Sequence, residues 1–253
     1  MPTAKYRARR KSKKAQAWKV PPYSIYNKNA QTYFESTVSL DMGKLYEPFL
    51  KHLRPGAKIL DAGCGSGRDS LFFKNQGFQV TAFDASEEMV KLASQLLCQE
   101  VLHMSFENLD LPGTYDGIWA CASLLHVKRA ELTDVIARLT QHLNGGAAFY
   151  MSFKHGDKEY WEDGRYFNCL DENALQKTVE EVPELRLAQL FVSIDVRPDR
   201  TEERWLNAYL VRADSCNGLE PETYTNQSRS GQRSSPVIHA LVPHWTIEHD
   251  KRS

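Results

Sequence analysis

The stretch Ile59-Leu60-Asp61-Ala62-Gly63-Cys64-Gly65-Ser66-Gly67-Arg68-Asp69 places three glycines at alternate positions directly after an apolar run. A backbone without Cβ atoms can turn sharply there and admit a ligand to close range. Asp61, where the run ends, offers a carboxylate to a cationic amine. Asp84 closes a second apolar run, Val80-Thr81-Ala82-Phe83. It falls about 20 residues after the glycines, where an acid can accept hydrogen bonds from paired ribose hydroxyls. Each feature has an ordinary alternative: a tight strand-to-helix turn without a ligand for the glycines, and a helix start around Ser86 for Asp84. Together they support each other. Gly63, Gly65 and Gly67 spell G-x-G-x-G, and Arg68 stands where a pyrophosphate-binding G-x-G-x-x-G has its last glycine. Nicotinamide-dependent hydride transfer is therefore the weaker reading.

Positioning these groups calls for strand ends brought side by side. The apolar positions Tyr26, Ala30, Tyr33, Phe34, Leu45, Phe49 and Leu50 predict two helices between Ser24 and Leu53, broken around Ser39 to Gly43. Strands are expected at Lys58 to Leu60, Gln79 to Phe83, Val101 to Met104, Tyr115 to Ala120 and Ala147 to Phe153. Helices are expected at Asp69 to Gln76, Glu87 to Leu97 and Glu131 to Leu143. Strands alternating with helices of this length specify a parallel sheet covered on both faces, which binds ligands beyond the carboxyl ends of its strands. After Lys154 the pattern changes: Asp157 to Asn168 is polar and aromatic, and Asp171 caps a helix to about Glu180. Leu187 to Val196 and Trp205 to Val211 then form an antiparallel edge hairpin.

Composition sets the outer limits. The chain has 253 residues, 42% hydrophobic and 25% charged, the proportions of a globular protein. No apolar run approaches the ~18 to 20 residues that cross a bilayer, and the basic N-terminus has no signal-like apolar stretch, so a cytoplasmic protein without membrane contact is expected. The net charge of zero is uneven: eight Lys and Arg and no acid precede residue 21, which leaves the other 233 residues at −8. Residues 1–20 read as a disordered basic arm and 213–253 as a polar linker and tail, around a domain spanning 21–212. An acidic body disfavours a groove that tracks nucleic acid. Cys64, Cys98, Cys121, Cys169 and Cys216 contain no C-x-x-C pair and read as reduced thiols. His239, His244 and His249 lack companions for a metal site, so no metal is expected.

The glycine turn followed by an acid at the second strand's end resembles the class I S-adenosylmethionine-dependent methyltransferases, whose first motif is an apolar strand and D/E-x-G-x-G-x-G. The resemblance runs from about Tyr26 to Arg212. Tyr115-Asp116-Gly117-Ile118-Trp119-Ala120-Cys121 continuing to His126-Val127 looks like the family's fourth-strand motif. Leu143-Asn144-Gly145-Gly146-Ala147 looks like the turn before its fifth strand. Gly164-Arg165-Tyr166-Phe167 and Arg204-Trp205-Leu206-Asn207 are similar to a bacterial small-molecule, tellurite-resistance-type subgroup. This implies a Rossmann-like α/β fold with a seven-stranded, mainly parallel sheet, an antiparallel edge hairpin and helices on both faces.

The resemblance also implies S-adenosyl-L-methionine as cofactor. Asp61, Gly63, Gly65 and Gly67 would pass its methionine part and Asp84 its ribose. Ser105 and Phe106 stand where the family often has an adenine-binding acid, and Ala120 and Cys121 would lie beside the sulfonium. His126 is an available base for an acceptor that must lose a proton. Tyr26 and Tyr33, seven residues apart on one helical face, could cover the cofactor. Arg165 and Tyr166 could line the acceptor's wall, with Arg165 suited to an anionic group. The expected activity is methyl transfer to a small molecule by in-line displacement. The alternatives are a nucleic-acid or protein methyltransferase that uses the basic arm, and a cofactor-binding protein without turnover. The chain carries no N/D-P-P-Y/F motif after the fourth strand.

Overall fold

In the computed structural model, which describes Pro21 and residues 23–213, alternate residues of the central strands go to opposite faces of one sheet. The strands are β1 (Lys58–Ala62), β2 (Gln79–Asp84), β3 (Leu102–His103), β4 (Tyr115–Ala120), β5 (Leu143–Lys154), β8 (Leu185–Ile194) and β9 (Arg204–Arg212), in the spatial order β3-β2-β1-β4-β5-β9-β8. The first five are parallel, while β9 runs antiparallel to both β5 and β8, giving the seven-stranded sheet with an antiparallel edge.

Leu60, Ala62, Ile118, Ala120, Phe149, Met151, Leu206 and Ala208 form one buried layer with Leu132, Ile136 and Leu139 of α6 (Arg129–Gln141) and Leu175 of α7 (Glu172–Glu180). Ile59, Trp119, Ala148, Tyr150 and Tyr209 turn the other way, onto Tyr46 and Phe49 of α3 (Gly43–Leu50) and Phe73 of α4 (Arg68–Asn75). Trp119 stacks on Tyr150 with ring centroids 3.9 Å apart. The same alternation sends Asp61 to the face of Ile59, toward α4.

Helix α5 (Glu87–Leu97) starts where its sequence allows. The Ser86 side chain accepts from Met89 N, and Asp171 caps α7 by accepting from Ala174 N. Between Ser24 and Leu50 there are three helices rather than two: α1 (Ser24–Lys28), α2 (Ala30–Thr37) and α3. Asn29, at φ −118° and ψ 22°, breaks the first helical run. The polar and aromatic stretch after β5 forms a separate hairpin, β6 (Glu159–Glu162) and β7 (Arg165–Asn168), that the sequence pattern left unassigned. Its turn uses Asp163 at φ 48° and Gly164 at φ 75°. Strand β5 also begins earlier than expected, because Leu143 pairs with Tyr115 and the Asn144-Gly145-Gly146 segment is a bulge inside the strand rather than a turn before it.

No helix among the described residues is long and apolar enough to cross a membrane. The basic arm 1–20, Cys216, the 214–253 segment and His239, His244 and His249 lie outside the described residues.

Candidate active site

The glycine turn is tied to the end of the neighbouring strand. Gly63 N and Cys64 N both donate to Phe83 O, at 3.0 and 2.9 Å, and Gly65 N donates to Asp84 Oδ2 at 2.9 Å. Ser86 N holds the other Asp84 oxygen at 2.8 Å. Burial raises the Asp84 pKa, and the backbone N–H donors oppose that rise. Gly63 has φ 78°, and a Cβ there would lie 2.6 Å from the Ser123 Cβ. That residue is fixed in turn, because Ser123 Oγ donates to Ala62 O at 2.6 Å. Ala122 beside it adopts φ 51°, and its N–H donates to Ser152 Oγ at 2.8 Å.

A single cavity collects the carboxyl ends of the parallel strands and the adjoining end of β9. Among the residues expected from the sequence, Gly63, Gly65, Asp84, Ser105, Phe106, Cys121, His126, Tyr26, Tyr33 and Arg165 line it. Asp61, Gly67, Ala120 and Tyr166 do not. Asp61 is buried behind the turn, where Ser70 Oγ donates to its Oδ2 at 2.6 Å. Burial and the charge of Asp69 push its pKa up. Gly67 packs on α5, 3.2 Å from the Ala93 Cβ for a Cβ built on it. Ala120 belongs to the buried layer over α6. Tyr166 reaches Glu159 with its hydroxyl, and its carbonyl serves His126.

His126 sits on a 3₁₀ turn, Leu124–His126, with both ring nitrogens engaged. Nδ1 lies 2.7 Å from Tyr166 O and Nε2 lies 2.9 Å from Tyr26 Oη. A carbonyl can only accept, so Nδ1 carries the proton and Nε2 accepts from the Tyr26 hydroxyl. Burial, helped by the charges of Arg165 and Lys154, lowers the His126 pKa to about 4, which keeps the imidazole neutral. Tyr26 also packs edge-on against Tyr33, with centroids 5.0 Å apart. Tyr33 in turn lies 3.6 Å from a Cβ built on Gly65. Asn27 Oδ1 accepts from Ser86 Oγ at 2.7 Å, and Thr37 Oγ1 donates to Ser66 Oγ at 3.1 Å. Helices α1 and α2 are thereby pinned across the glycine turn.

Sequence reasoning missed several lining groups. Arg68 lines the cavity with its guanidinium bound by Asp69 at 2.6 and 2.9 Å, and Asp69 also accepts from Tyr46 and Trp119. Lys154, Phe167, Arg197 and Arg200 line the end of the cavity formed by β5, β7 and the β8–β9 loop. For Lys154 the signal was present, since it follows the carboxyl end of the fifth strand. The loop arginines had none.

Residues 59–146 match the family model for a methyltransferase domain. The probable S-adenosyl-L-methionine-dependent methyltransferase TehB of Haemophilus influenzae is 29% identical over 94 residues, 35% of this chain and 33% of the relative. The ubiquinone biosynthesis O-methyltransferase of Xanthomonas campestris is 35% identical over 105 residues, covering 39% and 43%. The chain thus spans less than half the length of these curated relatives. A 1,6-didemethyltoxoflavin-N1-methyltransferase of Burkholderia thailandensis, solved with 1,6-didemethyltoxoflavin and S-adenosylhomocysteine, superposes with a TM-score of 0.61 at 22% identity, covering 76% of this chain and 85% of that one. With a domain match that opens on the glycine turn and a fold that superposes on a solved methyltransferase, the chain resembles the class I S-adenosylmethionine-dependent methyltransferases, the TehB type among them.

Proposed function

We propose that this chain, through a domain spanning residues 21–212, transfers a methyl group from S-adenosyl-L-methionine to a small-molecule acceptor in the cytoplasm. The observation that carries the reading is the joint between Gly65 N and Asp84 Oδ2, which sets a Cβ-free backbone bend and a carboxylate on one cavity wall. The donor set suits an adenosyl amino acid. Each Asp84 oxygen holds one backbone N–H and keeps a lone pair for a ribose hydroxyl. Gly63 keeps the bend bare and close against Ser123, whose Cβ would lie 2.6 Å from a Cβ at that position. Ser105 and Phe106 line the adenine side, and Asp61 braces the turn from behind by accepting from Ser70 Oγ at 2.6 Å.

When bound, the cofactor supplies a methyl group already activated by its sulfonium. The protein's part is to orient the acceptor and keep water out. Tyr26 and Tyr33 cover the turn, and Cys121 stands at the end of β4 where the two ligands meet. Burial, with the charge of Asp69, pushes the Cys121 thiol up to about 12, so it contributes surface rather than a nucleophile. His126 fixes the Tyr26 hydroxyl, and through it the cover.

Calorimetric titration with S-adenosylhomocysteine tests the reading. Wild type is expected to bind and Asp84→Ala to lose at least about tenfold in affinity, the worth of hydrogen bonds to a charged group. Label from radioactive S-adenosylmethionine, incubated with fractionated cell extract, is expected in the small-molecule fraction. An unaltered affinity in Asp84→Ala, or label confined to protein or nucleic acid, would overturn it.

A further inference from the structure

We infer that the acceptor is a small organic anion whose methyl-accepting heteroatom is ionised before transfer and is held by Lys154 and Arg165. This rests on the methyl-transfer reading of the same cavity.

Lys154 ends β5 and Arg165 opens β7, and both line the cavity. They lean on one ring, with Lys154 Nζ 4.6 Å and Arg165 Cζ 5.3 Å from the Phe167 centroid. Their compensation is thin. Glu203 is shared between Lys154 at 3.2 Å and Arg200 at 3.0 Å, so one carboxylate serves two cations. The carboxylate beside Arg165 is Asp163, 3.6 Å away and 82% exposed, where water screens it. This end of the cavity therefore carries excess positive charge.

Among the described residues, the same end offers no ready proton acceptor. Both His126 nitrogens are engaged, one by the Tyr166 carbonyl and one by the Tyr26 hydroxyl. Asp195 is bound by Arg197 at 2.9 and 2.5 Å and by Trp205 Nε1 at 2.9 Å. Burial raises its pKa, but these donors outweigh that and hold it at about 2. A neutral alcohol or amine would have to lose its proton here with no base placed to take it, beside two cations that favour an anion.

An ionised acceptor needs no base. Its lone pair forms the bond to the methyl carbon while the carbon–sulfur bond breaks and that electron pair goes to sulfur. An anion and a sulfonium become two neutral groups, and no proton is left to place.

The test uses the full chain saturated with S-adenosylhomocysteine and 4-nitrophenol as probe. Its visible absorption distinguishes the ionised form from the neutral one. Titrations are run one pH unit below and one above the probe's own pKa. The phenolate is expected to bind about tenfold tighter than the phenol, and Arg165→Gln and Lys154→Met each to lose about tenfold in phenolate affinity. Arg165→Lys is expected to keep most of it. Circular dichroism and S-adenosylhomocysteine affinity within twofold of wild type establish that the variants are folded. Equal affinity for the two forms, no binding of either, or folded variants that bind phenolate like wild type would overturn the inference. Failure of the wild type to bind S-adenosylhomocysteine would instead overturn the methyl-transfer reading.

Discussion

Tyr26 and His126, a hundred positions apart in the chain, are joined by a 2.9 Å hydrogen bond that fastens the first helix to the turn after the fourth strand. Because His126 Nδ1 is committed to the Tyr166 carbonyl, the bond runs in one direction, from the tyrosine hydroxyl to Nε2. The cover over the glycine turn thus hangs on the tautomer of one imidazole.

Replacing Tyr26 by Phe removes the donor and leaves Nε2 buried without a partner. Stability is expected to fall by about 1–2 kcal/mol and the dissociation of S-adenosylhomocysteine to speed up about tenfold. Denaturant melts and stopped-flow displacement measure the two. An unchanged dissociation rate would show that the bond does not hold the cover.

His126 also sets a pH window. Its folded-state pKa, about 4, lies below the unfolded value of 6.5, so the unfolded chain binds the proton more readily. The contribution is complete above pH 6.5 and is lost progressively as pH falls toward 4, amounting to roughly 3 kcal/mol. Denaturant midpoints across that window are expected to decline in wild type and to decline less in His126→Gln. Parallel slopes in the two proteins would refute the assignment.

Asp61 is expected to cost stability at neutral pH. Its folded pKa is raised, chiefly by burial and then by Asp69, so the folded chain holds the proton more tightly than the unfolded one. Stability is therefore lost as pH rises from the ordinary carboxylate range to about 8, and at neutral pH the folded chain must hold this carboxyl mostly protonated. Asp61→Asn keeps a partner for Ser70 and is expected to raise Tm by about 2–4 °C. Its affinity for S-adenosylhomocysteine should stay within about threefold at neutral pH, because Asn reproduces the neutral carboxyl. A lower Tm in thermal scans would contradict this.

The glycines of the turn differ in what they protect. A Cβ at Gly63 meets Ser123 Cβ at 2.6 Å, while one at Gly65 meets Tyr33 at 3.6 Å, an ordinary contact. Gly63→Ala is expected to cost about 1–3 kcal/mol and to disturb the Ser123 bond to Ala62 O. Gly65→Ala should cost less stability, with its effect falling on ligand affinity and the seating of Tyr33. Chemical denaturation of the two variants side by side decides, and the reverse order of stability would refute it.

Much of the scaffold is legible in the sequence. The helix Glu87–Leu97 and the strand Tyr115–Ala120 fall where capping by Ser86 and the apolar run place them. The sheet's mainly parallel order with an antiparallel edge follows from alternation that changes after Lys154. The β6–β7 hairpin was not legible. Its burial is uneven and its aromatics serve Phe167, Tyr166 and His126 rather than a repeating face.

What the sequence alone determined about this protein is local: where the glycines free the backbone, where Asp84 closes its strand, and which residues alternate between faces. Those depend on steric freedom and on a period of two, both written residue by residue. Tertiary structure alone decided that Asp61 turns behind the glycine turn to Ser70, that Tyr26 occupies His126, and that Lys154 and Arg165 share one aromatic ring. These are meetings of side chains from distant segments. They are settled by how the helices and the hairpin pack over the strand ends, which no spacing along the chain encodes.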